Sequence, residues 1–341
     1  MGRKSVPRYW MITNRNEKGR VRNRQSGKGL LGEDLAELTW WVAESGPLNE
    51  MTSWQKLSQN DFRKELLREI SDFPVIPDLE PHDQQRHVTL YIHGYNNDWA
   101  EAAQRYEQIS RDFIQARSLG VCVLFSWPSD GRVSGYLPDR RDARRSADHL
   151  AEVLDLLYDH LTALQREIDP LRRCRAKTSI IAHSMGCYVL QEAMRHVWDR
   201  NDRPMLVSLV NQLVMIAADV DNDIFRSGEQ SDGSGGDAIA QLTYRVTSLY
   251  SGRDQTLGLS AGLKHFGKRR LGRSGIDRRY DIPDNVWDID CSSFFAADIH
   301  NVHSSYFTEP RVIDLVEQIL RGVDRNELLR RELIPSVKHT S

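Results

Sequence analysis

Ile180-Ile181-Ala182-His183-Ser184-Met185-Gly186-Cys187-Tyr188-Val189 sets a serine between the end of an apolar, β-branched run and the start of an apolar helical pattern. A sharp strand-to-helix turn that carries a strained serine needs small residues two positions to either side, because the helix packs close against the strand. Ala182 and Gly186 supply them; alanine stands where glycine is usual, a mild change, since methyl is the next smallest choice. Such a turn lifts the Ser184 hydroxyl above the sheet edge and aims the Met185 N–H at an oxyanion near the helix N-terminus. A serine in this place can also be a simple helix N-cap. The rest of the chain decides between these roles.

Outward from this turn, short β-branched runs alternate with longer helical patterns, which predicts a mostly parallel sheet built from βαβ units, with helices on both faces. The runs are His87–Ile92, Val121–Phe125, Thr178–Ala182, Gln212–Ala217, Arg245–Tyr250 and Val286–Ile289. Several are continuously apolar, as strands covered on both sides tend to be. Helical periodicity marks Trp99–Ala116, Asp139–Leu164, a segment opening at Met185, and Arg311–Leu320. The first eighty residues read differently, with strands at Tyr9–Thr13 and Leu38–Val42 and a helix over Asn60–Ile70, an extension that adds antiparallel strands or a cap. The resulting division is an N-terminal extension over 1–80, a catalytic domain over 81–325 and a weakly structured tail over 326–341. Arg226–Asp237, rich in Gly, Ser and acidic residues, reads as a mobile loop at the pocket rim or a tolerated surface insertion. The basic run Lys264–Arg279 reads as a solvated surface, with an anion site as the sharper alternative.

His93-Gly94-Tyr95-Asn96-Asn97 follows the first apolar strand of the sheet, where an α/β-hydrolase fold places the loop that supplies the second oxyanion-hole N–H. Gly94 lets the backbone turn inward and the Tyr95 N–H is the candidate donor; His93, just before the glycine, reads as a support of the loop and not as a base. A serine hydroxyl needs a neighbouring imidazole held in one tautomer by a carboxylate, and the chain order in this fold is Ser, acid, His. Asp254 follows an apolar strand in Tyr250-Ser-Gly-Arg-Asp254 and is the preferred acid, with Asp219 of Ala217-Ala-Asp219 as its rival. His303 is the preferred base over His300, because it precedes Ser-Ser-Tyr306 and the final helix. Trp127 and Pro128 offer either an aromatic wall or loop packing.

Composition sets limits. With 341 residues, 40% hydrophobic and 28% charged, the chain is an ordinary globular protein large enough for one core with extensions. A formal net charge of -2 gives no global pull toward nucleic acid, and no basic patch interleaved with aromatics appears. No stretch is apolar and long enough for a spanning helix, and Met1-Gly-Arg-Lys-Ser-Val lacks a signal-peptide core, so the expectation is a cytoplasmic protein. Cys122, Cys174, Cys187 and Cys291 lack metal-like spacing and read as structural thiols.

Taken in order, Ile12-Thr-Asn-Arg15, Ile92-His-Gly-Tyr-Asn96, Phe125-Ser-Trp-Pro-Ser129, Ala182-His-Ser-Met-Gly186, Ser251-Gly-Arg-Asp254 and His303-Ser-Ser-Tyr306 resemble the bacterial α/β-hydrolase family known as domain of unknown function nine hundred. The resemblance implies a triad of Ser184, Asp254 and His303 on a hydrolase-like fold with a lengthened N-terminal region, and it implies no substrate. Glu33–Phe73 and Arg226–Asp237 match the family least. The residues point to a serine hydrolase acting on a small-molecule or lipid ester, thioester or amide, with no metal or organic cofactor required. The competing expectation is a binding or scaffolding protein that keeps the fold without turnover.

Overall fold

The computed structural model describes residues 8–17, 31–71, 86–129, 136–165, 176–200, 208–227, 233, 235–264 and 267–335. In chain order the elements are β1 (Tyr9–Arg15), β2 (Leu35–Ala43), β3 (Gln55–Leu57), α1 (Gln59–Ser71), β4 (Arg86–Ile92), α2 (Trp99–Ile109), β5 (Gly120–Ser126) and α3 (Tyr136–Gln165). They continue with β6 (Ala176–His183), α4 (Gly186–Arg200), β7 (Val210–Ile216), α5 (Gly236–Leu242), β8 (Thr243–Tyr250), α6 (Gln255–Lys264) and α7 (Leu271–Ser274). β9 (Val286–Asp290), α8 (Val302–Ser305), α9 (Pro310–Leu320) and α10 (Arg325–Arg330) complete the chain.

The strands form one nine-stranded sheet in the order β3-β2-β1-β5-β4-β6-β7-β8-β9. Strands β4 to β9 are parallel to their neighbours, and β1 joins them parallel to β5, Trp10 opposite Val123. The antiparallel part is β2 and β3, so the N-terminal extension continues the main sheet at its edge. Side chains alternate across the sheet with the period of two that a strand imposes. Trp10, Ile12, Val88, Leu90, Val123 and Phe125 pack on one face with α1, α3, α4 and α5. Met11, Tyr91, Cys122 and Leu124 pack on the other with α2 and α9. Both faces are therefore covered, which explains the unbroken burial of β4.

Local chemistry fixes the helix ends. At the start of α2 the Asp98 carboxylate accepts the Glu101 N–H at 2.9 Å and Glu101 returns the favour to the Asp98 N–H at 2.9 Å, a full capping box. The helical pattern predicted to run from Trp99 to Ala116 changes register after Ile109. Ser110–Gln115 is a π-helical turn, in which the five-residue repeat brings the Gln115 amide within 3.1 Å of the Ser110 hydroxyl. Helix α9 begins with Pro310, whose missing N–H costs nothing there, and buries Val312, Leu315, Val316, Ile319 and Leu320, each worth roughly 1.5–3 kcal/mol.

Three regions differ from the sequence reading. The tail expected beyond 325 opens as a helix, α10, which ends at Arg330 and is followed by a turn: Asp324 caps α10 by accepting the Glu327 N–H at 3.0 Å, and Leu328 and Ile334 are buried. Residues 336–341 lie outside the described residues. Within Arg226–Asp237, residues 228–232 and 234 also lie outside them, while Gly236 and Asp237 open α5. The basic run Lys264–Arg279 is no simple solvated face, because Arg270 is fully buried and paired with Asp219 and Asp221. Lys268, Arg278 and Arg279 also meet carboxylates, those of Asp221, Asp288 and Asp277. Cys122, Cys187 and Cys291 are buried free thiols; Cys174 lies outside the described residues.

Candidate active site

Ser184 sits at the C-terminal end of β6 with φ of 53°, a left-handed conformation costly for any residue but glycine. Two hydrogen bonds hold it there: its N–H donates to Ile216 O and its carbonyl accepts the Asp219 N–H, each at 3.0 Å. The turn also depends on Gly186. A Cβ at that position would lie 2.4 Å from His93 O and 2.6 Å from Ile92 O, so no side chain fits. The alanine on the other side is tolerated because Ala182 is fully buried in the core, where its methyl packs.

His303 on α8 brings Nε2 to 2.9 Å from Ser184 Oγ and Nδ1 to 2.7 Å from Asp254 Oδ2. A carboxylate acceptor at Nδ1 places the proton there, which leaves Nε2 free to accept the serine hydroxyl proton. Asp254 is fully buried, and its other oxygen accepts the Leu257 N–H at 2.9 Å at the start of α6. The preferred acid and base from sequence thus meet the serine in one hydrogen-bonded series. Of the rivals, His300 is exposed. Asp219 turns its carboxylate to Arg270 Nε at 2.8 Å, to the Tyr136 hydroxyl at 2.7 Å and to the Ser260 hydroxyl at 3.2 Å.

The loop after β4 lies against the serine. A Cβ on Gly94 would come within 2.9 Å of Ser184 Cβ and 2.8 Å of His183 Nδ1, so glycine is required for this approach. The Gly94 carbonyl accepts from His93 Nδ1 at 2.9 Å and from the Asn97 amide at 3.1 Å. A trans peptide is planar, so fixing that carbonyl also fixes the opposite direction of the Tyr95 N–H. His93 Nε2 accepts the Trp127 N–H at 3.2 Å, and Trp127 stacks on the ring and returns its indole N–H to His93 O at 2.9 Å. Burial pushes the His93 imidazole down to about 3, so it stays neutral and acts as a splint for the loop. Trp127, fully buried, packs the loop and does not wall the pocket.

Other supporting residues carry weaker sequence signals. Arg15, fully buried at the end of β1, donates to Asn97 O at 3.1 Å, to Ser126 Oγ at 3.0 Å and to Ser129 O at 3.4 Å. Its sequence signal is its place at the end of an apolar strand, in the motif Ile12-Thr-Asn-Arg15. Arg253 donates to the carbonyls of Phe295 at 2.7 Å, Ala296 at 2.8 Å and Ala297 at 3.1 Å, gathering the segment that leads into His303. Tyr306, fully buried, packs edge-on against Phe295 and anchors the same turn from below. His183 donates from Nε2 to the His303 carbonyl at 3.2 Å; burial first, then the neighbouring His303, hold its imidazole well below its ordinary range.

A cavity of about 490 Å³ opens over these groups, lined by His303, His183, Tyr91, Tyr95, Arg105 and Leu259 among others. Among the described residues, no group of three or more His, Cys, Asp or Glu side chains is arranged to hold a metal ion, and no helix is long and apolar enough to cross a membrane.

The chain is 21% identical over 306 residues to the uncharacterized protein alr1448 of Nostoc sp., covering 71% of this chain and 76% of that one. Among solved structures it is similar to the lin2722 product of Listeria innocua, with a TM-score of 0.40 and 12% identity, over 71% of this chain and 96% of that chain. Aspergillus fumigatus lipase B gives a TM-score of 0.43 and 11% identity, over 92% of this chain and 69% of that chain. Residues 75–321 match a family model described as an alpha/beta hydrolase of unknown function (DUF900), and with its mostly parallel sheet and its serine turn at the end of β6, the chain belongs to that family.

Proposed function

We propose that this protein is a serine hydrolase that cleaves an ester, thioester or amide, with carboxylic esters as its main substrates. The observation that carries the reading is the series Ser184 Oγ, His303 Nε2, His303 Nδ1, Asp254 Oδ2, with separations of 2.9 Å and 2.7 Å at its two hydrogen bonds. Ser184 Oγ attacks the substrate carbonyl carbon as its proton passes to His303 Nε2. Asp254 holds the imidazole in the required tautomer and stabilises the imidazolium. The N–H groups of Tyr95 and Met185 receive the oxyanion, and two such donors lower the barrier by a few kcal/mol each. Collapse of the tetrahedral intermediate expels the alcohol, which takes the proton from His303. Water then repeats the sequence on the acyl-enzyme and releases the acid.

Treatment with a fluorophosphonate probe followed by intact-protein mass spectrometry is the test. The wild type is expected to gain one adduct, and Ser184→Ala, which removes a single hydroxyl, to gain none while unfolding at an unchanged temperature. A folded wild-type protein that stays unlabelled beside a labelled control hydrolase would replace this reading with that of a ligand-binding protein.

A further inference from the structure

The cavity bordered by His183 and His303, the neighbours of Ser184, contains one permanent charge among its lining residues, the guanidinium of Arg105 on α2. Its other lining groups are aromatic, aliphatic, amide, hydroxyl or imidazole side chains, with Tyr91, Tyr95 and Leu259 supplying much of the apolar wall. Among the described residues Arg105 has no carboxylate partner. It donates to Gln108 Oε1 at 2.9 Å and lies 4.7 Å over the Phe307 ring. Gln108 in turn donates its amide to Phe307 O at 2.9 Å, and Phe307 packs edge-on against His183 at 4.9 Å. The guanidinium is thus half-buried, held on two sides, and tied through one aromatic ring to the residue beside the nucleophile. Glu101 and Glu107 border a second cavity together with Arg105; Glu101 closes the capping box of α2, and among the described residues no ion pair joins either carboxylate to the guanidinium.

A cation in a mostly apolar cavity, with one N–H spent on Gln108 and the rest of its fork available, is suited to a planar anion. We propose that the substrates of this site carry a carboxylate, which Arg105 binds while the ester carbonyl lies at Ser184. A single guanidinium balances the single charge of a carboxylate, whereas a phosphate monoester carries nearly two charges and would leave one uncompensated. Tyr91, Tyr95 and Leu259 take the uncharged part of the molecule. Arg105 is then a specificity residue that touches substrate but not the reacting atoms.

The inference rests on the hydrolase reading for the site's chemistry, and its test is made independent of turnover. Binding to Ser184→Ala protein is measured by calorimetry with ethyl pentanoate, with monoethyl glutarate, and with the pentanoyl ester of glycolic acid. These are a neutral ester and esters with the carboxylate on the acyl or the alcohol side. One of the two carboxylates is expected to bind on the order of ten- to a hundredfold more tightly than the neutral ester. Adding Arg105→Gln should abolish that preference, and Arg105→Lys should restore part of it, with both proteins folded by circular dichroism. Equal affinities, or a preference that survives Arg105→Gln, would overturn the proposal. Tighter binding of the phosphonate counterpart of monoethyl glutarate than of the carboxylate would overturn it as well. A carboxylate preference in a protein whose Ser184 takes no fluorophosphonate would leave the anion site standing and remove the hydrolase reading instead.

Discussion

The backbone N–H of Asp219 donates to the carbonyl of Ser184 at 3.0 Å, yet the Asp219 side chain points away from the imidazole of His303 and into a buried cluster with Arg270, Tyr136 and Ser260. One residue thus stitches the strained serine to the end of β7 while its carboxylate neutralises a fully buried arginine. The two aspartates near the serine have separate duties, and mutagenesis can tell them apart.

Asp254→Asn is expected to lower kcat by up to about 10⁴-fold, because the amide favours the wrong imidazole tautomer, with little change in thermal stability. Asp219→Asn is expected to do the reverse. It weakens the charge partner of a buried Arg270 and costs about 3 kcal/mol, near the low end for a broken buried pair since Asp221 remains. Ester turnover and melting temperature of the two variants, measured together, check the assignment. A larger loss of kcat from Asp219→Asn would move the acid to the earlier strand.

Asn97 holds the Gly94 and Tyr95 carbonyls at 3.1 Å and 2.9 Å and so orients the peptide that carries the candidate oxyanion donor. Asn97→Ala should reduce kcat roughly 10- to 100-fold, somewhat less than the removal of an oxyanion donor itself, and leave KM nearly unchanged. The loss belongs to the transition state. Steady-state kinetics on a 4-nitrophenyl ester separates the outcomes, and a rise in KM at constant kcat would assign Asn97 to substrate binding instead.

Arg253 acts through His303 without touching it, by gathering the carbonyls of Phe295, Ala296 and Ala297. Charge-assisted bonds of this kind are worth about 1.5–3 kcal/mol each, so Arg253→Ala should loosen the segment and lower kcat roughly 10- to 100-fold. Arg253→Lys should recover part of that loss, since a lysine keeps the charge but reaches fewer carbonyls at once. Hydrogen exchange over 291–303 is the structural readout. Unchanged exchange together with wild-type kcat would remove Arg253 from the positioning of the base.

Acid should unfold this protein early. Burial pushes His87 and His93 down to about 3, and His183 well below its ordinary range, so all are neutral in the folded chain and protonate near 6.5 once unfolded. The unfolded state therefore binds more protons between about pH 6.5 and 3, and stability rises with pH across that window and is lost as pH falls through it. Each group contributes up to about 1.4 kcal/mol per pH unit. Calorimetric melting temperatures at successive pH values should drop steeply below about pH 6. A flat profile between pH 6.5 and 5 would show that these histidines protonate without unfolding the chain.

Much of the fold could be read from the one-dimensional pattern, since strands covered on both faces are apolar throughout and helices repeat every three to four residues. The turn at Ser184 was legible for a steric reason, because only Gly186 fits against the carbonyls of Ile92 and His93. The loop after β4, the candidate source of an oxyanion donor, and both candidate aspartates stand after strands, a place that the parallel topology alone gives them. Tertiary structure decided what linear order leaves open. The choice between Asp254 and Asp219, both at strand ends, turns on which carboxylate faces His303 and which faces an arginine fifty-one residues away in sequence. Arg15, Asn97 and Arg253 stand in motifs legible in the sequence, but their contacts, like those of Arg105, were not, for the same reason. Each works through backbone carbonyls, ring faces or a shared cavity that come together only when distant segments pack, and a charged side chain in a sequence carries no sign of whether it ends in solvent or beneath the nucleophile.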